Sequence, residues 1–290
     1  MTAHVLSWAL SELSKRNTVV LATVLNTSGS VPGKTGARLA MSSDGQQWRG
    51  TVGGAGLEHR VLARCGELLS SAKEPAAEVL TYGLNKGAKG YEVTPLDSLC
   101  GGRVTISIEV MIPMPHVLIM GGGHCGEALS EALARLGWSF SIHDTRPAFA
   151  SAELYPDAVE RVSCSVTSFF AEEDAASLRR FSDVLLLGHD WSEDQERLLL
   201  LLHRLQAGGV LPNGKDGPRI GVIGSRSKWQ AFEKTCLEEG IPPALLDSVN
   251  CPIGLNIGAQ SPEEIAVAVA AQIMAAHKGV QPGDATWRQT

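Results

Sequence analysis

The sequence is most constrained by six consecutive residues that read Gly-Gly-Gly-His-Cys-Gly, at positions 121–126. They follow a short apolar run and precede ten residues whose apolar spacing predicts a helix. A strand, a G-x-G-x-x-G turn and a helix in this order are typical of folds that bind a nucleotide phosphate. In such a turn Gly121 permits the tight bend, Gly123 the close approach of a phosphate, and Gly126 the packing of helix on strand.

Three charged or ionisable residues near this turn bear on which ligand it takes. Asp144 follows the next predicted strand, about 20 residues further on, where an acid that binds a ribose is expected. His124 is either the first residue of the helix or a donor directed at an anionic ligand. Arg146 either pairs with Asp144 at the surface or points into the site and favours an additional phosphate. The sequence therefore predicts a nucleotide-type site, and the choice between NAD(P) and another nucleotide stays open.

Composition narrows the class of protein. The chain has 290 residues, enough for roughly two domains, and 44% of them are hydrophobic, which is typical of a globular protein. The formal net charge of -6 argues against nucleic acid or an anionic membrane as the main partner. No apolar run approaches the roughly 18 residues of a membrane span, and the first residues lack the features of a signal peptide. We expect a cytoplasmic protein with no membrane or nucleic-acid partner.

The order of predicted elements indicates two domains of different architecture. Residues 1–112 mix strands and helices, including a helix at about 3–16 and a hairpin turn at Ser43-Asp44-Gly45. A stiff Pro-Met-Pro connector follows at 113–115. Residues 116–278 alternate strands and helices, which predicts a Rossmann-like, doubly wound parallel sheet and an α/β fold class overall. Residues 279–290 are expected to form a flexible tail. In the second domain we predict strands near 116–120, 139–143, 159–163, 183–188 and 219–223, and helices near 124–136, 172–180, 191–206, 227–238 and 262–276.

Two small-residue loops in the first domain are candidate anion sites. One contains Ser30 between glycine and proline, and the other places Gly53 and Gly54 at the start of a predicted helix. Both fit plain turns. Both also fit concave surfaces of free N–H groups at a helix start, which hold anions well.

Cys100 is the cysteine that the sequence singles out, because Gly101 and Gly102 follow it at the junction of a loop and a strand. The glycines cost backbone entropy, which close approach of another group would explain. A thiol there is suited to bind a soft metal, carry sulfur or resolve a disulfide; the alternative is a small buried hydrophobe. The six cysteines contain no C-x-x-C pair, so the other five are expected to be reduced and mostly buried.

Two further strand ends carry polar residues. His189 and the aspartate after it follow a predicted strand, where ligands bind in open parallel sheets, although capping of the next helix by that aspartate is an equal alternative. Ser225 and Arg226 follow the next strand and suggest an anion site. Residues 251–258 form a glycine-containing loop before the last helix and suggest a fixed surface beside the cleft.

These motifs together resemble the XdhC/CoxI family, the accessory proteins of xanthine dehydrogenase and related molybdenum hydroxylases. The resemblance covers nearly the whole chain. The matching segments are 29–32, 36–37, 50–54, 57–58, 100–102, 121–126, 144–146, 220–226, 251–255 and 262–266. The Gly-Ser-Arg segment at 224–226 and the Cys-Pro-Ile-Gly-Leu segment at 251–255 are the most specific.

The resemblance implies that the protein binds molybdenum cofactor (molybdopterin), supports its sulfuration by a cysteine desulfurase, and delivers it to a xanthine dehydrogenase-type apo-hydroxylase. Cys100 would then face the molybdenum centre. A homodimer is expected, because the cofactor is large and one chain offers few thiols. The chain departs from many relatives in having Gly56 where they carry His or Cys, and a single cysteine where some carry two.

Two other functions remain open on the residues alone. An NAD(P)-dependent oxidoreductase would use the Rossmann-like domain for catalysis, although no convincing pair of acid and base for hydride transfer is found. A nucleotide-sensing regulator would bind the ligand without chemistry.

Overall fold

The computed structural model describes residues 2–43, 47–72, 74–85, 90, 93–96, 101–214 and 217–283. The chain divides into two compact units, Met1–Pro113 and Met114–Thr290. Three predicted features fall outside the described residues: Cys100, most of the hairpin turn that begins at Ser43, and residues 284–290 of the predicted tail.

In its described residues, the first unit is a mixed sheet with two helices. Its elements are α1 (Thr2–Ser14), β1 (Val19–Ser28), β2 (Arg38–Ser42), β3 (Trp48–Gly50), α2 (Ala55–Ser71), β4 (Ala76–Gly83), β5 (Val93–Pro95) and β6 (Arg103–Met111). The strand order is β3-β2-β1-β6-β4-β5, with β4 and β5 parallel and the other neighbours antiparallel.

Strand β1 is buried on both faces of this sheet over its first half. Val20, Ala22 and Val24 share a core with residues of α2, while Val19 and Leu21 share a second core with residues of α1. A strand covered on both faces needs apolar side chains at every position rather than at alternate ones. This explains the continuous apolar run at the start of β1.

The second unit is a doubly wound parallel sheet, as predicted. Its elements are β7 (His116–Met120), α3 (His124–Arg135), β8 (Ser139–His143), a 3₁₀ helix (Pro147–Ala150), β9 (Arg161–Val162), α4 (Val166–Glu172), α5 (Ala175–Leu178), β10 (Asp183–Leu186), α6 (Trp191–Ala207), β11 (Arg219–Val222), α7 (Arg226–Glu238), α8 (Pro243–Leu246), β12 (Val249–Asn250) and α9 (Pro262–Lys278). All neighbouring strands pair in parallel, in the order β12-β11-β10-β7-β8-β9. Renumbered from the first strand of the unit, this is the 3-2-1-4-5-6 order of a Rossmann fold, with its switch point between β7 and β10.

Helices cover both faces of the parallel sheet. One core joins the sheet to α4, α6 and α7, and the other joins it to α3 and α9. Helix α9 begins at Pro262, as predicted. The residue before it caps the helix: the Ser261 hydroxyl accepts from the Glu264 N–H at 3.2 Å, and the Glu264 carboxylate accepts from the Ser261 N–H at 3.1 Å.

The helix predicted near 172–180 is shorter than expected, and the helix before it was not predicted. Helix α5 covers only Ala175–Leu178 of that range, and α4 ends at Glu172, where the predicted helix was to begin. Glu173 is extended, and the Asp174 carboxylate accepts a hydrogen bond from the Ser177 N–H at 2.7 Å. The capping aspartate therefore starts a new helix instead of continuing the old one.

None of the helices in the described residues combines the length and the apolar character that crossing a bilayer requires.

Candidate functional site

The glycine-rich turn of the second unit lies between β7 and α3, at the switch point of the sheet. Gly121 has φ +118°, which favours glycine, and its N–H donates to the His143 carbonyl at 2.8 Å. A Cβ on Gly121 would lie 2.6 Å from the Gly188 nitrogen, and a Cβ on Gly126 would overlap the Gly121 carbonyl. These two glycines are therefore required by close packing of the turn against β10 and of α3 against the turn.

Gly123 and His124 form the open side of this turn. A Cβ on Gly123 would meet no heavy atom within 4 Å, and Gly123 precedes α3 without any side-chain cap from the described residues. His124 is the first residue of α3 and is exposed. Uncapped N–H groups at the positive end of a helix favour an anion, so the geometry permits a phosphate here.

The Asp144 carboxylate is hydrogen-bonded within the turn itself. It is only 2% exposed, and its carboxylate accepts from the Gly122 N–H and from the Arg146 N–H, Nε and Nη2, each at 2.9 Å. The Arg146 guanidinium lies 3.8 Å from the centre of the Phe149 ring. Burial raises the pKa of Asp144, but the hydrogen bonds from Arg146 and Gly122 outweigh it and lower the pKa to about 2. In this arrangement the carboxylate fixes the turn and the guanidinium, and offers no free oxygen to a ribose.

At the neighbouring strand end, His189 is exposed and the residue after it caps a helix. The Asp190 carboxylate accepts from the Ser192 N–H at 2.8 Å and from the Ser192 hydroxyl at 2.7 Å. The sequence left open whether this aspartate faces a ligand or caps the next helix. In the structure Asp190 caps the start of α6.

Ser225 and Arg226 begin α7. Both are exposed, and the Ser225 hydroxyl accepts from the Lys228 N–H at 3.3 Å. The Lys228 side chain turns away from solvent: its Nζ donates to Asp194 Oδ2 at 2.8 Å and to the Ile223 carbonyl at 3.0 Å. Of the two cations in this segment, Arg226 is exposed at the helix start, whereas Lys228 is paired within the protein.

The partner of Lys228 belongs to a buried ionic network that the sequence analysis missed. Asp194 is fully buried and its Oδ1 pairs with Arg197 Nη1 at 2.9 Å. The same oxygen accepts from the Gly188 N–H at 3.1 Å, next to the glycine-rich turn. Glu193 pairs with Arg197 Nη2 at 3.1 Å and accepts from the Thr145 hydroxyl at 2.9 Å. The network thus links the strand ends around the switch point through α6 and α7.

The signal for this network was present in the spacing. Asp194 and Arg197 share a helical stripe with Leu198, Leu201 and Leu205 of α6, so their side chains face the core. Three buried side-chain atoms of the region lack a hydrogen-bond partner in the described part of the chain: Arg197 Nε, His143 Nδ1 in β8, and the Tyr155 hydroxyl beside Gly122.

In the first unit, the predicted loops come together at one end of the sheet. Ser28, the last residue of β1, pairs with Arg103, the first residue of β6. The loop that leaves β1 therefore meets the segment that enters β6. A Cβ on Gly102 would overlap the Val31 side chain and lie 2.5 Å from the Ser28 carbonyl and 2.8 Å from the Ser30 carbonyl.

The start of α2 joins the same loop. A Cβ on Gly33 would overlap the Val52 carbonyl, and a Cβ on Gly53 would lie 3.0 Å from the Gly33 nitrogen. Gly54 precedes α2 without a side-chain cap from the residues described. The structure therefore brings Gly53, Gly54 and Gly102 to the loop that carries Ser30, which itself is exposed, as is Gly101.

The described cysteines are free thiols with little reactive character. Burial raises the pKa of Cys65 to about 12 and that of Cys236 to about 11, which is typical of inert packing residues. Burial, followed by the nearby Glu263 carboxylate, raises the pKa of Cys125 in the glycine-rich turn. Within the described ranges no group of three or more His, Cys, Asp or Glu side chains could hold a metal ion. Cys100 is not among the residues described, so its role stays a prediction.

Comparison with known proteins finds two curated relatives that are longer than this chain. "Uncharacterized protein YqeB" of Escherichia coli (strain K12) is 27% identical over 254 residues, which cover 88% of this chain and 42% of that protein. A protein of Bacillus subtilis (strain 168) that is named as a probable subunit of xanthine dehydrogenase is 28% identical over 175 residues, or 60% of this chain and 46% of that protein. The chain thus spans less than half the length of these two curated relatives. A solved structure described as a xanthine dehydrogenase from Bacillus halodurans matches 98% of both chains, at 19% identity and a TM-score of 0.45.

Family models match both units of the chain. The model described as the XdhC and CoxI family matches residues 13–83, within the first unit. The model described as the XdhC Rossmann domain matches residues 117–273, within the second unit. The second match alone covers more than half of the 290 residues, and it coincides with the sheet whose strand order is that of a Rossmann fold. The chain therefore belongs to the XdhC and CoxI family.

Proposed function

We propose that this protein is an accessory factor in the maturation of a xanthine dehydrogenase-type molybdenum hydroxylase. In this role it binds molybdenum cofactor, supports its sulfuration by a cysteine desulfurase, and delivers it to the apo-enzyme. Membership in the XdhC and CoxI family supports the accessory role, and so does the relative named as a probable subunit of xanthine dehydrogenase.

The observation that carries the proposal is the convergence of the glycine-containing loops in the first unit. Gly102 packs between the Ser28 and Ser30 carbonyls, and Gly53 packs against the same loop. The uncapped start of α2 at Gly54 offers N–H groups to a pterin phosphate. The residues fit a phosphate-bearing cofactor on these grounds.

Cys100 is the soft donor of this proposal. It directly precedes Gly101 and Gly102, which lead into β6 beside the convergent loops. A thiolate is a preferred ligand for a soft metal centre. The cofactor would supply the molybdenum centre of the hydroxylase, and the chain would hold its phosphate and shield its metal during transfer.

The test is to purify the full chain from cells that make the cofactor and to measure bound pterin and molybdenum. Cys100→Ala should retain less molybdenum and activate the apo-hydroxylase less than the parent, whereas Cys125→Ala, at a partly buried thiol of the second unit, should not. Gly102→Ala should disturb the convergent loops, and Gly101→Ala, whose Cβ would meet nothing within 4 Å, is its matched control. Unchanged retention and activation in Cys100→Ala would remove that thiol from the proposal.

A homodimer is part of the proposal, because a second copy of the chain would supply a second thiol to a large cofactor. Light scattering on the cofactor-loaded protein tests it: a monomeric mass for the loaded protein would contradict this step.

A second candidate is an NAD(P)-dependent oxidoreductase, favoured by the glycine-rich turn at the switch point of a 3-2-1-4-5-6 sheet. The engagement of Asp144 with Gly122 and Arg146 weighs against the usual ribose contact. If only nicotinamide nucleotide copurifies, and some substrate reduces it, the oxidoreductase replaces the accessory role.

A further inference from the structure

A cleft of about 430 Å³ lies in the second unit, where α5 meets the end of α6. Its lining combines small and aliphatic side chains with two arginines and one aspartate. The residues that give it this character are Asp174, Ala175, Arg179, Arg204, Ala207 and Val210. The cleft therefore joins an apolar surface to a pair of cations.

The cleft lies at the edge of the parallel sheet where the strands begin. Helix α5 shortly precedes β10, and α6 ends before β11 begins. Because β10 and β11 are parallel and α6 connects them, the end of α6 returns to the edge at which both strands start. The glycine-rich turn follows the last residue of β7, which is also parallel to β10, and so lies at the opposite edge. The cleft is thus separate from that turn.

Small residues at the contact between α5 and α6 keep the cleft open. A Cβ on Gly208 would lie 2.3 Å from the Ala175 Cβ, so the two helices meet too closely there for a larger residue. Ala207, the last residue of α6, is exposed within the lining. A long side chain at either position of α6 would occupy the space that the cleft now leaves free.

The two arginines of the cleft keep their guanidinium donors available. Within the residues that the structure describes, neither Arg179 nor Arg204 forms an ion pair or a side-chain hydrogen bond. The arginine that follows, Arg180, is different, because it pairs with Glu160 and Glu173. The residues one turn before and after Arg204 on α6 are leucine, alanine and glycine, so its own helix offers it no carboxylate.

Asp174, the carboxylate in the lining, is already hydrogen-bonded within the protein. It caps α5 by accepting from the Ser177 N–H at 2.7 Å. This hydrogen bond is the main cause that lowers the pKa of Asp174, and the charge of Arg204 contributes less. One carboxylate faces two guanidinium groups, so the lining of the cleft carries a net positive charge.

The shape of the cleft favours a protein segment over a small molecule. Most of its lining residues are exposed, so a small ligand would leave much of its surface in water, whereas small-molecule sites bury most of theirs. A protein segment can extend past Val210 to Leu211, the next residue, which is 51% exposed. Arginine binds carboxylates in a two-point geometry and is enriched at protein interfaces.

We propose that this cleft docks an acidic segment of a partner protein, with its carboxylates paired to Arg179 and Arg204 and a neighbouring apolar side chain against Val210 and Leu211. The formal net charge of -6 argues against a nucleic acid, whose phosphates an arginine pair would also suit. The inference goes beyond the proposed function, which depends on loops of the first unit. Variants of the cleft should leave molybdenum retention unchanged, so the two proposals can fail separately.

The experiment measures binding of labelled peptides to the full chain by fluorescence anisotropy. The probe is a pool of short fluorescein-labelled peptides of glutamate, leucine and alanine, and the control pool has glutamine in place of glutamate. Arg179→Ala and Arg204→Ala each remove one cation, and Arg135→Ala, at an exposed arginine in the last turn of α3, is their matched control. Ala207→Trp fills the cleft without changing charge, and Ala231→Trp, at an exposed alanine of α7 outside the lining, is its control.

We expect the acidic pool to bind the parent with a Kd below about 1 mM, and the Kd to rise about tenfold in the three cleft variants but not in the two controls. The glutamine pool should bind at least about tenfold more weakly than the acidic pool. The proposal is overturned if the acidic pool does not bind, if the glutamine pool binds equally well, or if the cleft variants match their controls. Inorganic phosphate and succinate serve as competitors: if either displaces the peptides at a concentration below the peptide Kd, the cleft belongs to a small anion and the proposal is wrong.

Discussion

The buried Asp194 network permits a quantitative prediction about the stability of the second unit. Asp194→Asn keeps the size of the side chain and an oxygen for the Gly188 N–H, but removes the negative charge between Arg197 and Lys228. Arg197 is 1% exposed and Lys228 is 18% exposed, so solvent compensates little for the loss. Removing one partner of a buried ion pair typically costs about 3–5 kcal/mol.

The lower end of that range applies here. Glu193 still pairs with Arg197 Nη2 at 3.1 Å, and Lys228 still donates to the Ile223 carbonyl at 3.0 Å. We therefore expect Asp194→Asn to lower the free energy of unfolding by about 3 kcal/mol. For a unit of this size the melting temperature should fall by roughly 6–12 °C.

Urea unfolding followed by circular dichroism measures the free energy, and calorimetry measures the melting temperature. The matched control is Glu238→Gln, which breaks the exposed pair of Lys234 and Glu238 at 3.8 Å and should change stability by less than about 0.5 kcal/mol. The double variant Asp194→Asn with Arg197→Gln should lose less than the sum of the two single variants, because the second change removes a charge already stripped of its partner. A loss below about 1 kcal/mol in Asp194→Asn would refute the reasoning.

Three further predictions concern the glycine-rich turn and the strand beside it. Gly122→Ala should lower the free energy of unfolding by about 3 kcal/mol or more, because its Cβ would overlap the Phe149 carbonyl. Gly123→Ala, whose Cβ would meet no heavy atom within 4 Å, should leave the melting temperature unchanged. Equal melting temperatures for the two variants would contradict this account. The pKa of Asp144 is lowered to about 2. The stability that its carboxylate contributes should therefore be present above pH ~4 and lost as the pH falls toward 2. Asp144→Asn should flatten this part of the curve of unfolding free energy against pH. Burial, together with repulsion from Arg197, lowers the pKa of His143 from 6.5 to about 4. The free energy of unfolding should therefore fall by about 3 kcal/mol as the pH falls from 6.5 to 4. If His143→Gln leaves the slope of unfolding free energy against pH unchanged in this range, the explanation is wrong.

Local signals were sufficient for much of the fold. The strand-turn-helix at 116–136 and the start of α9 at Pro262 were predicted correctly, since a short apolar run, a glycine motif and helical spacing are each readable within one segment. The alternation of strands and helices was enough to predict a parallel sheet. The helix predicted at 172–180 was too long, because the capping aspartate Asp174 fixes its start at Ala175, three residues later than predicted.

The candidate site depended more on distant residues. Asp144 was expected to face a ligand, and only the folded chain shows its carboxylate held by Gly122 and Arg146. The contact of Lys228 with Asp194 joins two helices through residues that are 34 positions apart in sequence. No periodicity in one segment can reveal such a pair, although the leucine stripe of α6 does indicate that Asp194 faces inward.

The pairing of Asp144 with Arg146 has a consequence for the electric field at the start of α3. A bare carboxylate beside the glycine-rich turn would repel any approaching phosphate, and at short range this repulsion rivals the attraction of a helix end. The guanidinium cancels that charge and is itself the one-third-exposed member of the pair. An incoming anion therefore meets a neutralised acid and a partly accessible cation, so that the carboxylates that still oppose the positive end of the helix are Glu127 in its first turn and Glu263 near Cys125.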